Sequence, residues 1–151
     1  MKRTLTLKER NYKKKYPNTK YFEWYNANPK GNLISDCAIR ALCVVLDMSW
    51  EDVYMDLCKR GLANGCMPSD RDNLYGYLEE KGFVRMKMPK NEKNKKVRVC
   101  SYHNELKKYH KVFASVGKYH VVGIDEGVVK DIWDSSTQFI GVWFVPKEYV
   151  I

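Results

Sequence analysis

Between Asp36 and Leu46 apolar residues fall on almost every side of a helical wheel: Ala38, Ile39, Ala41, Leu42, Val44 and Val45. A segment with so little polar face predicts a central, buried helix, with Ser35 or Asp36 as its cap. The next two periodic segments are one-sided. One begins at Ser49, has Asp52 three residues on as a variant capping box, ends at Gly61, and turns Val53, Tyr54, Leu57 and Cys58 inward. The other starts near Ser69 or Asp70, carries Leu74, Tyr75 and Leu78, and stops at Gly82.

From Lys111 onward the pattern becomes β. Strands are expected at Lys111 to Val116, Tyr119 to Ile124, Val128 to Trp133 and Phe139 to Val145, the last ending before Pro146. Phe83 to Met88 reads as a further strand, Pro89 to Lys96 as a charged loop and Asn104 to Tyr109 as a short helix. Helices first and an antiparallel sheet afterwards predict an α+β fold. Residues 1–30 read as a basic, aromatic-rich arm with little regular structure, packed on a domain of residues 31–151 through Tyr12, Tyr16, Tyr21, Phe22, Trp24 and Tyr25.

A chain of 151 residues with 44% hydrophobic positions supports one domain with a real core. No stretch approaches the roughly 20 apolar residues that span a bilayer, and the basic first ten residues lack the apolar core of a secretory leader. A cytoplasmic protein with no membrane partner is therefore expected. Five cysteines, at 37, 43, 58, 66 and 100, show no paired spacing and are expected to stay reduced. Cys100, His103, His110 and Cys66 lack a second tight ligand pair, so no metal or cofactor is expected. The net charge of +9 concentrates in two clusters, Lys2 to Lys20 and Lys87 to Arg98, the second continuing to Lys111. These are either solvated surface or sites that attract nucleic acid or acidic surfaces. Oligomeric state has no sequence signal.

Cys37 differs from the other cysteines because it sits at the mouth of the buried helix, where the dipole and free N–H groups favour thiolate. His120 opens a strand, and acids on the return strand can orient it. The hairpin register decides which acid. If Asp125-Glu126-Gly127 forms a three-residue loop, Ile124 pairs with Val128 and Asp134 is the diagonal neighbour of His120. If Glu126-Gly127 alone turns, Asp131 and Trp133 share its face. Glycine at the third loop position favours Asp134, with Asp131 as the alternate.

The segments Asp36-Cys37-Ala38-Ile39-Arg40-Ala41-Leu42, His120 and Gly127-Val128-Val129-Lys130-Asp131-Ile132-Trp133-Asp134-Ser135 resemble small papain-like proteins of bacteriophages and prophages. More distantly they are similar to bacteriocin-processing peptidases. The resemblance covers roughly residues 31–145. It implies a papain-like cysteine hydrolase core in a host cytoplasm, with Cys37 as nucleophile, His120 as general base and then acid, and Asp134 as orienter. The substrate would be a peptide, isopeptide or side-chain amide, and no cofactor is needed. Those peptidases carry a Gln before the cysteine whose amide serves the oxyanion hole. Here Asn32, five residues before Cys37, is the nearest amide. The competing class is a non-catalytic papain-like protein whose basic surface binds nucleic acid or a host protein.

Overall fold

A computed structural model describes residues 3–150. The helices are α1 (Leu7–Lys15), α2 (Cys37–Leu46), α3 (Trp50–Asn64), α4 (Arg71–Glu80) and the short α5 (His103–Lys107). The strands are β1 (Phe22–Trp24), β2 (Phe83–Met86), β3 (Lys111–Val116), β4 (His120–Asp125), β5 (Val128–Asp131) and β6 (Ile140–Pro146). They form one six-stranded sheet in the order β1-β5-β4-β3-β6-β2. Only the β1–β5 pair is parallel. The fold is α+β with a mixed sheet.

Alternation along the central strands divides the core in two. Val112, Ala114, Val116, Val122 and Ile124 face one layer, shared with Phe22, Trp24, Val97, Val99 and Leu106. Phe113 and Phe144 face the other, against Ala41 and Leu42 of α2, Leu57 of α3 and Leu78 of α4. β6 carries a register shift against β3: Ala114 pairs with Trp143 but Val116 with Ile140. The extra residue lets Ile140 and Trp143 reach the same layer despite their spacing. It also turns Val142 N–H onto Ser115 Oγ at 2.8 Å.

α2 lies directly on β4, and Gly123 is the reason. A Cβ built there would stand 2.5 Å from Val44 Cβ and 2.7 Å from the Ala41 carbonyl oxygen. Because this contact sets the height of α2 over β4, it also sets the height of Cys37 beside His120. Gly123→Ala should therefore lift the helix, lower stability by about 1–3 kcal/mol and slow alkylation of Cys37. A melt and a thiol-labelling rate check both; a variant with wild-type values for each would show that the contact is slack.

Several sequence expectations are corrected here. The described residues before 30 include a helix and a strand. α1 is held by a full capping box in which Thr6 and Glu9 bond each other's backbone N–H, and β1 joins the sheet with Phe22 and Trp24 in the core. α1 has almost no apolar face, so periodicity does not reveal it. The Ser49-capped helix does not stop at Gly61 but runs on to Asn64, ending at Gly65 in the left-handed conformation. Gly61 is needed inside it because the Cys66 carbonyl lies 2.7 Å from where a Cβ would be.

Candidate active site

The β4–β5 hairpin turns on two residues. Asp125 pairs with Val128 and Ile124 with Val129, and Glu126 and Gly127 both have positive φ, 50° and 79°. Two consecutive left-handed residues are what a type I′ turn requires, and its twist matches that of the strands. The three-residue loop expected from Gly127 is thus corrected, and with it the preferred acid. Asp131, not Asp134, faces the histidine: His120 Nε2 lies 2.5 Å from Asp131 Oδ2. Asp134 instead accepts from the Ser136 N–H at 2.9 Å, closing a turn beyond the strand.

β5 pairs with β4 only from Gly123 on, which leaves the start of β4 open toward the N-terminus of α2. There the Cys37 thiol faces the His120 ring and the Val121 backbone N–H, both of which favour its thiolate form. With Nε2 engaged by Asp131, Nδ1 is the imidazole nitrogen left for the thiol. Trp133 packs against the imidazole with ring centroids 4.7 Å apart and planes tilted by 39°.

Asp131 is itself held. It is 2% exposed, accepts from the Ile132 N–H at 2.7 Å, and is paired with Arg40. Arg40, 4% exposed on α2, donates through Nε to Asp36 Oδ1 at 2.7 Å. Asp36 also accepts from Trp50 Nε1 at 2.9 Å and from Asn28 Nδ2 at 3.2 Å. The polar chain continues into the N-terminal segment. The Asn28 N–H donates to Asn26 Oδ1, and Asn26 donates to the fully buried Glu9 beside Arg3. Burial opposes the Glu9 charge, but Arg3, the Thr6 N–H and Asn26 together bring its carboxyl down to about 2. Negative and positive groups alternate from Asp36 through Arg40, Asp131 and His120 to Cys37.

The Asp36 carboxylate, turned to Arg40, makes no capping bond to α2. The first backbone N–H groups of α2, that of Cys37 included, have no acceptor among the described residues. Donors and dipole both face the thiol. For Cys37, burial is the largest single influence and works against ionisation. The polar groups of His120 and Val121 that face it, and the charges of His120 and Arg40, outweigh burial and bring the thiol below its ordinary range. For His120 burial likewise disfavours the charge, yet Asp131 and Cys37 raise it to about 9. Cys43, buried in the core on the same helix, shows the contrast: burial pushes its thiol up to about 12.

Cys37 and His120 line an open cleft of about 520 Å³. Its lining also includes Ser69, Asp70, Arg71 and Tyr75 from the start of α4 and Lys118 and Tyr119 from the β3–β4 turn. Tyr119 is 94% exposed on that turn. Gly141 and Val142, at the β6 bulge, line it as well. Asn32 does not line the cleft. It is exposed, with its carbonyl bonded by Asn26 and its N–H by Asn28, so the expected side-chain amide donor is not at the thiol.

Trp50, Asn28 and the Val121 N–H are parts of the site that sequence reasoning missed. Only the four-residue spacing of Asp36 and Arg40 hinted at the network behind Asp131. His103 and His110 are bound to the β4–β5 turn instead, at Gly127 O (2.9 Å) and Glu126 Oε1 (2.6 Å). No three potential metal-ligating side chains gather among the described residues. A scan against protein-family models and searches of curated proteins and solved structures find nothing that matches this chain.

Proposed function

We propose that the chain is a papain-like cysteine hydrolase that transfers an acyl group from an amide to Cys37 and then to water. The observation that carries this reading is the His120–Asp131 bond beside a Cys37 thiol that lines the same cleft as His120. His120 takes the thiol proton. The thiolate attacks the carbonyl carbon, and the developing oxyanion faces the Cys37 N–H and the end of the α2 dipole. As the C–N bond breaks, His120 gives its proton to the leaving amine. Water then attacks the thioester, His120 accepting a proton from it and returning one to the thiol. Asp131 keeps the imidazole oriented, and Arg40 holds Asp131 in place. The substrate would enter the cleft lined by the α4 start and Tyr119. We read a protein or peptide as the substrate and the cytoplasm as the setting.

An activated ester tests acyl transfer without knowledge of the natural substrate. With p-nitrophenyl acetate the wild-type chain should release a stoichiometric burst of nitrophenolate and carry an acetyl group on the Cys37 peptide. Cys37→Ala should show neither. Acetylation spread over lysines or the other cysteines, with no burst, would rule out the reading.

A further inference from the structure

A second concave surface, larger than the cleft, lies elsewhere, and its chemistry is unlike that of the cleft. This groove of about 830 Å³ is lined by Lys90, Lys93, Lys95, Lys96 and Arg98, together with Phe139 and Tyr102. It shares no lining residue with the cleft at Cys37. Glu92 is its one acid. Among the described residues, none of these five cations makes an ion pair.

The loop that carries them is built, not loose. Lys90 and Lys96 form an antiparallel bridge. Inside it the Asn91 N–H donates to the Lys95 carbonyl at 2.8 Å, and Asn91 Oδ1 accepts from the Lys93 and Lys95 N–H groups at 2.9 and 3.0 Å. Beyond the loop Val97 and Val99 are anchored in the core. Arg98 bridges to Phe139 and donates to the Thr137 carbonyl at 2.7 Å. A run of lysines serving only solubility needs no such framework.

The aromatic component decides the partner class. Phe139 is 42% exposed, and the Arg98 guanidinium lies 4.6 Å from its ring centroid. A cationic groove with an open ring and an arginine beside it matches the way unpaired bases stack while lysines follow the phosphates. An acidic peptide would use the charge and leave the ring idle. A duplex keeps its bases inside and offers the ring nothing to stack on. We propose that this groove binds single-stranded nucleic acid. The proposal stands independently of the hydrolase reading.

Fluorescence anisotropy of the full chain with a fluorescein-labelled oligothymidylate or oligouridylate tests it. Affinity should fall about 50-fold between 50 and 200 mM salt if about four phosphates are contacted. The combined Lys93→Glu, Lys95→Glu, Lys96→Glu variant should lose at least tenfold. These are exposed loop positions, and an unchanged melting temperature verifies the fold. Phe139→Ala should weaken single-strand binding about tenfold while leaving the weaker binding of duplex and of polyglutamate unchanged. The proposal is overturned if the triple variant binds like wild type. It is equally overturned if polyglutamate or duplex competes as well as the single strand, or if Phe139→Ala has no effect.

Discussion

Replacing Arg40 by methionine should lower the unfolding free energy by about 3–5 kcal/mol, the cost of stranding buried carboxylates by removing their partner. Asp36 and Asp131 both point at this guanidinium from inside the protein, their side chains 4% and 2% exposed. Without it, two negative charges face each other across the gap with only neutral donors, Trp50, Asn28 and the Ile132 N–H, besides His120. A loss of that size is a large share of the roughly 5–15 kcal/mol that holds a domain together. It corresponds to a drop of about 10–15 °C in melting temperature. Arg40→Lys should recover part of the loss, since an ammonium supplies charge but not a fork that reaches both acids. An Arg40→Met melt within one or two degrees of wild type, at neutral pH, would show that the network carries no net weight.

The largest effect on chemistry is expected from Asp131→Asn. The amide is nearly isosteric, so the hairpin should hold, but it neither stabilises the imidazolium nor selects the ring tautomer. Acylation should fall about 10³–10⁴-fold, as when the acid of a hydrolytic triad becomes an amide. The pH profile carries the signature. In wild type the acid limb reports Cys37, which lies below the ordinary thiol range. The alkaline limb reports His120, whose proton, needed by the leaving amine, is held to about pH 9. In Asp131→Asn the alkaline limb should retreat from about 9 toward 6.5, the ordinary value for histidine. Stability follows the same linkage. The folded chain holds the His120 proton more tightly than the unfolded one, so this contribution is complete below about pH 6.5. It is lost as pH rises through about 9. A uniform loss of rate with unchanged limbs would mean that Asp131 is structural.

The buried helix and its cysteine were legible in the sequence because α2 is apolar on nearly every side, a pattern few other structures tolerate. His120 was legible as the start of a strand. Its acid was not, because a type I′ turn is ordinarily announced by Asn or Asp before glycine. Glu126 adopts a left-handed conformation at φ 50° without that signal, and one residue of loop length moves every side chain to the other face. α1 escaped a search for apolar periodicity, although Thr6 and Glu9 stood at capping-box spacing in plain view. β1 is three residues long and pairs in parallel with a strand more than a hundred positions away. No local pattern encodes such a partner. Asn32 was chosen as the nearest amide in sequence, but the Asn26 and Asn28 side chains hold its backbone, and it does not line the cleft at the thiol.

The central claim is that His120 activates Cys37 and no other cysteine. The most direct test is the pH dependence of iodoacetamide labelling, resolved for each of the five cysteines by peptide mass spectrometry, in wild type and His120→Ala. Cys37 should label faster than Cys43, Cys58, Cys66 and Cys100 at neutral pH, with its midpoint below the ordinary thiol range. Removing His120 should slow Cys37 alone and move that midpoint upward, since burial then acts with less opposition. If Cys37 labels no faster than the other four, or keeps its rate and midpoint without His120, the account is wrong.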